Sequence, residues 1–240
     1  MPSEQKATRK LRAILSADVK GYSLLMAKDE ISTLQTLKDS RNIMSERIKE
    51  HSGRVVDTVG DNLLAEFSST VDAVQAAVDI QRKIAERNTA LSEDRKMEFR
   101  IGINLGDVIH EQGRIYGNGV NVAARVESIA DPGGVCISGA VFDQIENKIS
   151  LGYEYLGEQN VKNISKPVRI YRVLLAPEAI GTIIGEKKHS HRKWHLKLLA
   201  VLIAILLAGW ALKFWQAYLK TSSTKVEPAS IENAKEIKPR

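Results

Sequence analysis

Val55-Val56-Asp57-Thr58-Val59-Gly60-Asp61-Asn62-Leu63-Leu64-Ala65-Glu66-Phe67 sets two apolar runs on either side of Gly60-Asp61-Asn62. Val55 to Thr58 and Leu63 to Phe67 read as the strands of a hairpin, because β-branched and aromatic residues favour strands and Gly, Asp and Asn favour tight turns. Asn62 tolerates positive φ, which suits the turn. Upstream, Ile31, Leu34, Leu37, Met44 and Ile48 recur on one face of a long helix that Gly53 stops. Downstream, Ser69 opens a second helix with Asp72 at the capping-box position, and Val71, Val74 and Val78 follow at helical spacing. A hairpin between two amphipathic helices calls for a layer of sheet under a layer of helix.

Working outward, Ala13 to Ala17 is an apolar strand that ends at Asp18. Met97, Phe99, Ile101 and Ile103 alternate with polar residues, the pattern of a strand with one buried face, and a short separate strand is expected around Asp107 to His110. A third helix covers about Gly117 to Ala130, and Asp131-Pro132-Gly133-Gly134 ends it. Val135 to Ser138, Tyr153 to Leu156 and Val168 to Val173 complete the strands. The expected fold is an α/β (α+β) sandwich with helices packed on a mostly antiparallel sheet. Cys136, the single cysteine, falls in a strand read as buried; with no partner it forms no intrachain disulfide, which suits a reducing compartment.

The chemistry-bearing residues sit at element ends. Asp18 closes Ile14-Leu15-Ser16-Ala17-Asp18-Val19, and Asp61 lies in the hairpin turn. Two carboxylates so placed offer hard oxygen ligands to divalent cations while leaving coordination positions open for phosphate. In Val120-Asn121-Val122-Ala123-Ala124-Arg125, Asn121 and Arg125 stand at i and i+4 and share one helix face. A guanidinium there suits a phosphoryl group gaining charge. Together these residues point to two-metal phosphoryl transfer on a nucleotide. The bland alternatives are a capping aspartate, a turn aspartate and an exposed polar helix stripe.

Residues from about Arg9 to Val173 resemble the class III nucleotidyl cyclase catalytic domain. The matching stretches are Ala17-Asp18-Val19-Lys20-Gly21-Tyr22-Ser23, Val59-Gly60-Asp61-Asn62-Leu63-Leu64-Ala65-Glu66-Phe67, Arg100-Ile101-Gly102-Ile103-Asn104-Leu105-Gly106, Ile115 through Arg125, and Val161-Lys162-Asn163-Ile164. The resemblance implies a ferredoxin-like core. It also implies two divalent ions per site, Mg²⁺ or Mn²⁺, on Asp18, Asp61 and the backbone carbonyl of Val19. Asn121 would orient the ribose, Arg125 would stabilise the α-phosphate and Lys162 would contact the triphosphate. The substrate would be ATP or GTP, and a homodimer would form shared active sites, the metal residues coming from one chain and Asn121 and Arg125 from the other.

The purine-recognition positions depart from that pattern. Adenylate cyclases commonly place Lys three residues before the turn glycine and Asp seven residues before the ribose Asn; here Asp57 and Arg114 stand there. Both have changed sign, so the pair stays complementary as an exchanged ion pair if the two side chains meet. ATP is the first expectation and GTP the alternative, since guanylate cyclases put an acidic residue in the first slot. Two other classes stay open: a nucleotide-sensing pseudoenzyme, favoured by the altered pair, and an assembly protein that works through its dimer interface and membrane helix.

Beyond Val173 the composition changes. The formal net charge is +6, but Lys187, Lys188, Arg192, Lys193 and Lys197 crowd before an apolar run, a placement that favours anionic lipid over nucleic acid. Leu198 to Leu212 carries no charge, and the apolar segment reaches Leu219 if Lys213 snorkels, enough for a span of about 20 residues. His189, His191 and His195 read as part of the basic patch. The expected layout is a tail over 1–8, a catalytic domain over 9–175, a basic juxtamembrane linker over 176–195, a transmembrane helix over 196–219 and a polar tail over 220–240. By the positive-inside rule the chain is a single-pass protein of the inner (cell) membrane with its catalytic domain in the cytoplasm.

Overall fold

A computed structural model describes residues 9–160, 164, 166–185 and 192–222. The chain divides into two units, Met1–Glu186 and Lys187–Arg240. The first is built on a nine-stranded sheet. Its strands are β1 (Arg9–Val19), β2 (Arg54–Asp57), β3 (Leu63–Phe67), β4 (Phe99–Glu111), β5 (Arg114–Tyr116), β6 (Val135–Ser138), β7 (Gly152–Gln159), β8 (Val168–Leu174) and β9 (Ile183–Ile184). The order is β2-β3-β1-β4-β6-β8-β7-β9, with β5 paired to β4 outside that path. Among the described residues only β4–β6 and β7–β9 pair in parallel, so the sheet is mostly antiparallel, as expected.

Helices α1 (Tyr22–Lys28), α2 (Glu30–Glu50), α3 (Thr70–Thr89), α4 (Asn118–Ile129) and α5 (Gly139–Ile145) complete this unit. Residues along β1 alternate in their burial partners, as period-2 geometry requires. Ala13, Leu15 and Ala17 join α2, α3 and α5 in the main core, while Ile14 packs with Val108, Ile115 and Ala123 under α4. Met44, Ile48, Phe67 and Phe99 are all but fully buried, and each such side chain contributes roughly 1.5–3 kcal/mol. Phe142 of α5 stacks on Tyr171 at 3.9 Å between centroids and meets Tyr153 edge-on at 5.2 Å, which fastens α5 to β7 and β8. Cys136 is buried, and burial pushes its thiol up to about 12.

The hairpin and the Ser69 cap appear where the sequence puts them; Ser69 Oγ accepts from the Asp72 amide at 3.3 Å. Other expectations need correction. The positive φ of the hairpin turn is at Gly60 (61°), not at Asn62. Ile31 and Leu34 are exposed, because the helix face that meets the core is set by Leu37, Met44 and Ile48 together with buried Thr33, Thr36 and Ser40. The two strands expected around Phe99 and Asp107 are one strand, β4. It stays continuous through Gly106 and Asp107 because it pairs with all of β1, from Val19↔Phe99 to Arg9↔Ile109.

The described residues of the second unit form helix α6 (Arg192–Ser222). Among the described residues no helix is long and apolar enough to cross a membrane. The expected span over 196–219 is therefore not reproduced. Lys187, Lys188, His189 and His191 lie outside the described residues.

Candidate active site

Asp18 is the penultimate residue of β1, and the register pairs it with Arg100 on β4. Side chains directly opposite on one sheet face touch. Arg100 Nε donates to Asp18 Oδ1 at 2.9 Å, and its Nη2 donates to Oδ2. Hydrogen bonding to Asp18, then the charges of Asp18, Glu127 and Asp61, hold the Arg100 guanidinium above its ordinary value against the opposing effect of burial. The Ala17↔Leu63 pairing puts the Asp61 turn at the same end of the sheet as Asp18.

The turn carrying Asp61 is fixed from outside the hairpin. Gly60 supplies the left-handed backbone, and Arg41 of α2 donates to the carbonyls of Gly60 (2.5 Å) and Asn62 (3.2 Å). Asn62 turns its amide inward to Ser16 Oγ (3.3 Å) and Glu127 (3.2 Å), while Ser16 Oγ donates to Glu127 Oε2 at 2.5 Å. Burial pushes the Glu127 carboxyl up to about 7; the Asp18 charge adds to this, and the Ser16 bond and Arg100 oppose it. Glu127, on the inner face of α4, therefore ties that helix to β1 and to the Asp61 turn.

Asn121 and Arg125 project from the outer, exposed face of α4. That helix sits close to the sheet because Gly102 has no side chain: a Cβ there would lie 2.1 Å from the Glu127 amide nitrogen and 2.5 Å from the Ala123 carbonyl. The exchanged pair does meet, with Arg114 Nε 3.6 Å from Asp57 Oδ2. Lys162 lies outside the described residues. Val19 is buried beside Asp18.

The structure thus sets Asp18 and Asp61 at one end of the sheet, joins Asp57 to Arg114, and leaves Asn121 and Arg125 facing solvent. A cavity of about 710 Å³ beside Asn104, Asn118, Ser138 and Lys166 touches none of these six residues. Concavity therefore does not mark these residues. Two carboxylates at one sheet end offer hard oxygen ligands for a divalent ion, although both oxygens of Asp18 are taken by Arg100. Among the described residues, no group of three or more His, Cys, Asp or Glu side chains forms a metal cage. Arg100, Glu127, Ser16 and Arg41 had no assigned role in the sequence. Arg100 could have been found as the polar partner in the alternation of Phe99 and Ile101.

The Adenylate and Guanylate cyclase catalytic domain family matches residues 5–174. A Rhizobium meliloti (strain 1021) protein named "Putative adenylate cyclase 3" is 42% identical over 171 residues, covering 70% of this chain and 29% of that protein. An adenylate cyclase of Streptomyces coelicolor is 29% identical over 143 residues, 59% of this chain and 36% of its own length. The chain thus spans about a third of the curated relatives it matches. A crystal structure described as an adenylate/guanylate cyclase/hydrolase from Silicibacter pomeroyi superposes with a TM-score of 0.66 at 38% identity, over 70% of this chain and 99% of that one. Members of this family generally use divalent metal ions, bind ATP or GTP and typically act as dimers.

Proposed function

The chain belongs to the adenylate and guanylate cyclase catalytic domain family, and from that membership we propose that it converts ATP to 3′,5′-cyclic AMP and pyrophosphate. The ribose 3′-oxygen forms a bond to the α-phosphorus, the bond from that phosphorus to the bridging oxygen of the β-phosphate breaks, and the 3′-hydroxyl proton is lost. The observation that carries the reading is that the Ala17↔Leu63 pairing sets Asp18, at the end of β1, and the Asp61 turn before β3 at the same end of two adjacent strands. These carboxylates, with the Val19 carbonyl, would hold two Mg²⁺ or Mn²⁺ ions, which when bound acidify the 3′-hydroxyl and neutralise the polyphosphate. Asn121 orients the ribose, Arg125 stabilises charge gathering on the α-phosphate, and Lys162 holds the triphosphate. Asp57 and Arg114 face the base.

Asn121 and Arg125 point to solvent, which supports a site completed by a second copy of the chain: metal residues from one protomer, Asn121 and Arg125 from its partner. The uncharged run from Leu198 to Leu212, with basic residues before it, supports anchoring at the inner membrane with the catalytic domain in the cytoplasm. The 3.6 Å approach of Arg114 to Asp57 favours a second reading, GTP as substrate, because an adjacent acceptor and donor can serve N1–H and O6 of guanine. The test is to incubate the purified full-length chain with Mn²⁺ and either ATP or GTP, identify products by mass spectrometry, and run Asp61→Ala in parallel. A cyclic product lost in the variant supports the enzyme and names its base. Nucleotide binding with no product makes the domain a sensor.

A further inference from the structure

The Arg114–Asp57 contact is long, single-pronged and exposed, with 58% and 32% of the two side chains accessible. Such a pair contributes at most about 1 kcal/mol, too little to hold a hairpin in place. What holds it lies three residues before Asp57. Arg54 donates through Nε (3.1 Å) and Nη2 (2.7 Å) to Glu66 Oε1, and through Nη1 (3.0 Å) to the carbonyl of Gly113. Glu66 is a firm anchor: its side chain is only 10% exposed, its other oxygen meets His110 Nε2 at 2.8 Å, and Arg12 approaches at 3.8 Å. Two charge-assisted N–H bonds on one shielded carboxylate oxygen, with a third to a backbone carbonyl, fix the side chain more firmly than the single exposed contact does.

The geometry of β2 makes one strand do both jobs. In a regular strand, residues 54 and 57 would face opposite sides of the sheet. Here Arg54 pairs with Glu66 and Asp57 with Leu64, and the register shifts between Val55 and Asp57. Glu66 and Leu64 share a face, so the bulge turns Asp57 to the same side as Arg54. Across from them, β4 and β5 are joined by a two-residue turn in which Gln112 (φ 48°) and Gly113 (φ 81°) both have positive φ, the type I′ hairpin geometry. Arg54 seizes the carbonyl of Gly113, and the next residue is Arg114.

We propose that Arg54 is a positioning residue that locks the β4–β5 turn onto β2, holds Asp57 and Arg114 in register, and thereby sets which purine the site accepts. This rests on the reading that Asp57 and Arg114 face the base. Glu66 and His110 fix the guanidinium; Arg54 itself touches no substrate.

The test uses the full-length chain with Arg54→Ala, Arg54→Gln and the double variant Asp57→Ala/Arg114→Ala, alone and combined with Arg54→Ala. The readouts are kcat/KM for ATP and GTP, dissociation constants for 3′-deoxy-ATP and 3′-deoxy-GTP, which bind but cannot cyclise, and Tm. The 3′-deoxy nucleotides keep the test valid even if turnover is absent. Arg54→Ala is expected to move the ATP/GTP preference toward one by about tenfold, in KM and in the dissociation constants more than in kcat. The same substitution should leave the preference unchanged in the double variant. Arg54→Gln, which reaches one acceptor but not both, should behave like Arg54→Ala and covers the case in which Arg54→Ala fails to fold. An unchanged preference in a folded Arg54 variant, with a shifted one in Asp57→Ala/Arg114→Ala, overturns the proposal and leaves the base reading standing. No shift in Asp57→Ala/Arg114→Ala sinks both. A shift that persists in the combined variant also overturns the proposal, because Arg54 would then act by another route.

Discussion

Arg100 of β4 lies across β1 against Asp18, its guanidinium bonded to both carboxylate oxygens. Eighty-two residues separate the two in sequence. The ligand expected to hold a divalent ion is thus already neutralised by a fixed side chain. An ion binding there must share or displace that guanidinium.

Arg100→Ala should therefore tighten binding of Mn²⁺ in the absence of nucleotide, lowering the half-saturating concentration severalfold. Electron paramagnetic resonance titration of free Mn²⁺ reads this directly. Weaker binding would mean that Arg100 serves mainly to aim Asp18.

Gly102 is where α4 rests on β4, and no side chain fits beneath the Glu127 amide. Gly102→Ala should cost about 1–3 kcal/mol by overpacking. It should also lower turnover more than Tm alone accounts for, since α4 carries Asn121 and Arg125. Equal stability and activity would show that the helix is free to lift.

A shared site makes a genetic prediction. Chains carrying Asp18→Ala and chains carrying Arg125→Ala are each expected to be inactive, and mixing them should restore activity through one composite site per heterodimer. No recovery in verified heterodimers would place Asp18 and Arg125 in one chain's site.

Glu66 yields a pH dependence. Burial pushes its carboxyl up, but hydrogen bonds from Arg54 and His110 and their charges together hold it below the ordinary 4.5. A carboxyl lowered on folding contributes stability that is present above about 4.5 and lost as pH falls through its lower folded value. Glu66→Gln should accordingly be less stable at neutral pH, and its urea midpoint should fall less steeply than that of the parent chain below pH 4.5. Parallel acid limbs would assign the acid sensitivity to other groups.

Much of this was legible in local patterns. The Val55–Phe67 hairpin, the Ser69 cap and the helix bearing Asn121 and Arg125 follow from periodicity and turn residues, whose signals lie within a few positions of one another. Ile31 and Leu34 misled because apolar spacing alone cannot say which stripe of a helix meets the core. Gly106 and Asp107 looked like a break because the β1 pairing that carries β4 through them is remote in sequence.

The sequence by itself determined the chemical inventory: two carboxylates at element ends, an amide and a guanidinium one helical turn apart, and an exchanged acid–base pair at Asp57 and Arg114. Which of these touch was decided only by tertiary structure. Strand register sets Arg100 opposite Asp18, the bulge in β2 turns Asp57 toward Arg114, and the missing side chain of Gly102 lets α4 bury Glu127 beside Ser16 and Asn62. The reason is physical: propensity and periodicity act over a few residues, whereas register and close packing couple side chains that the chain separates by dozens.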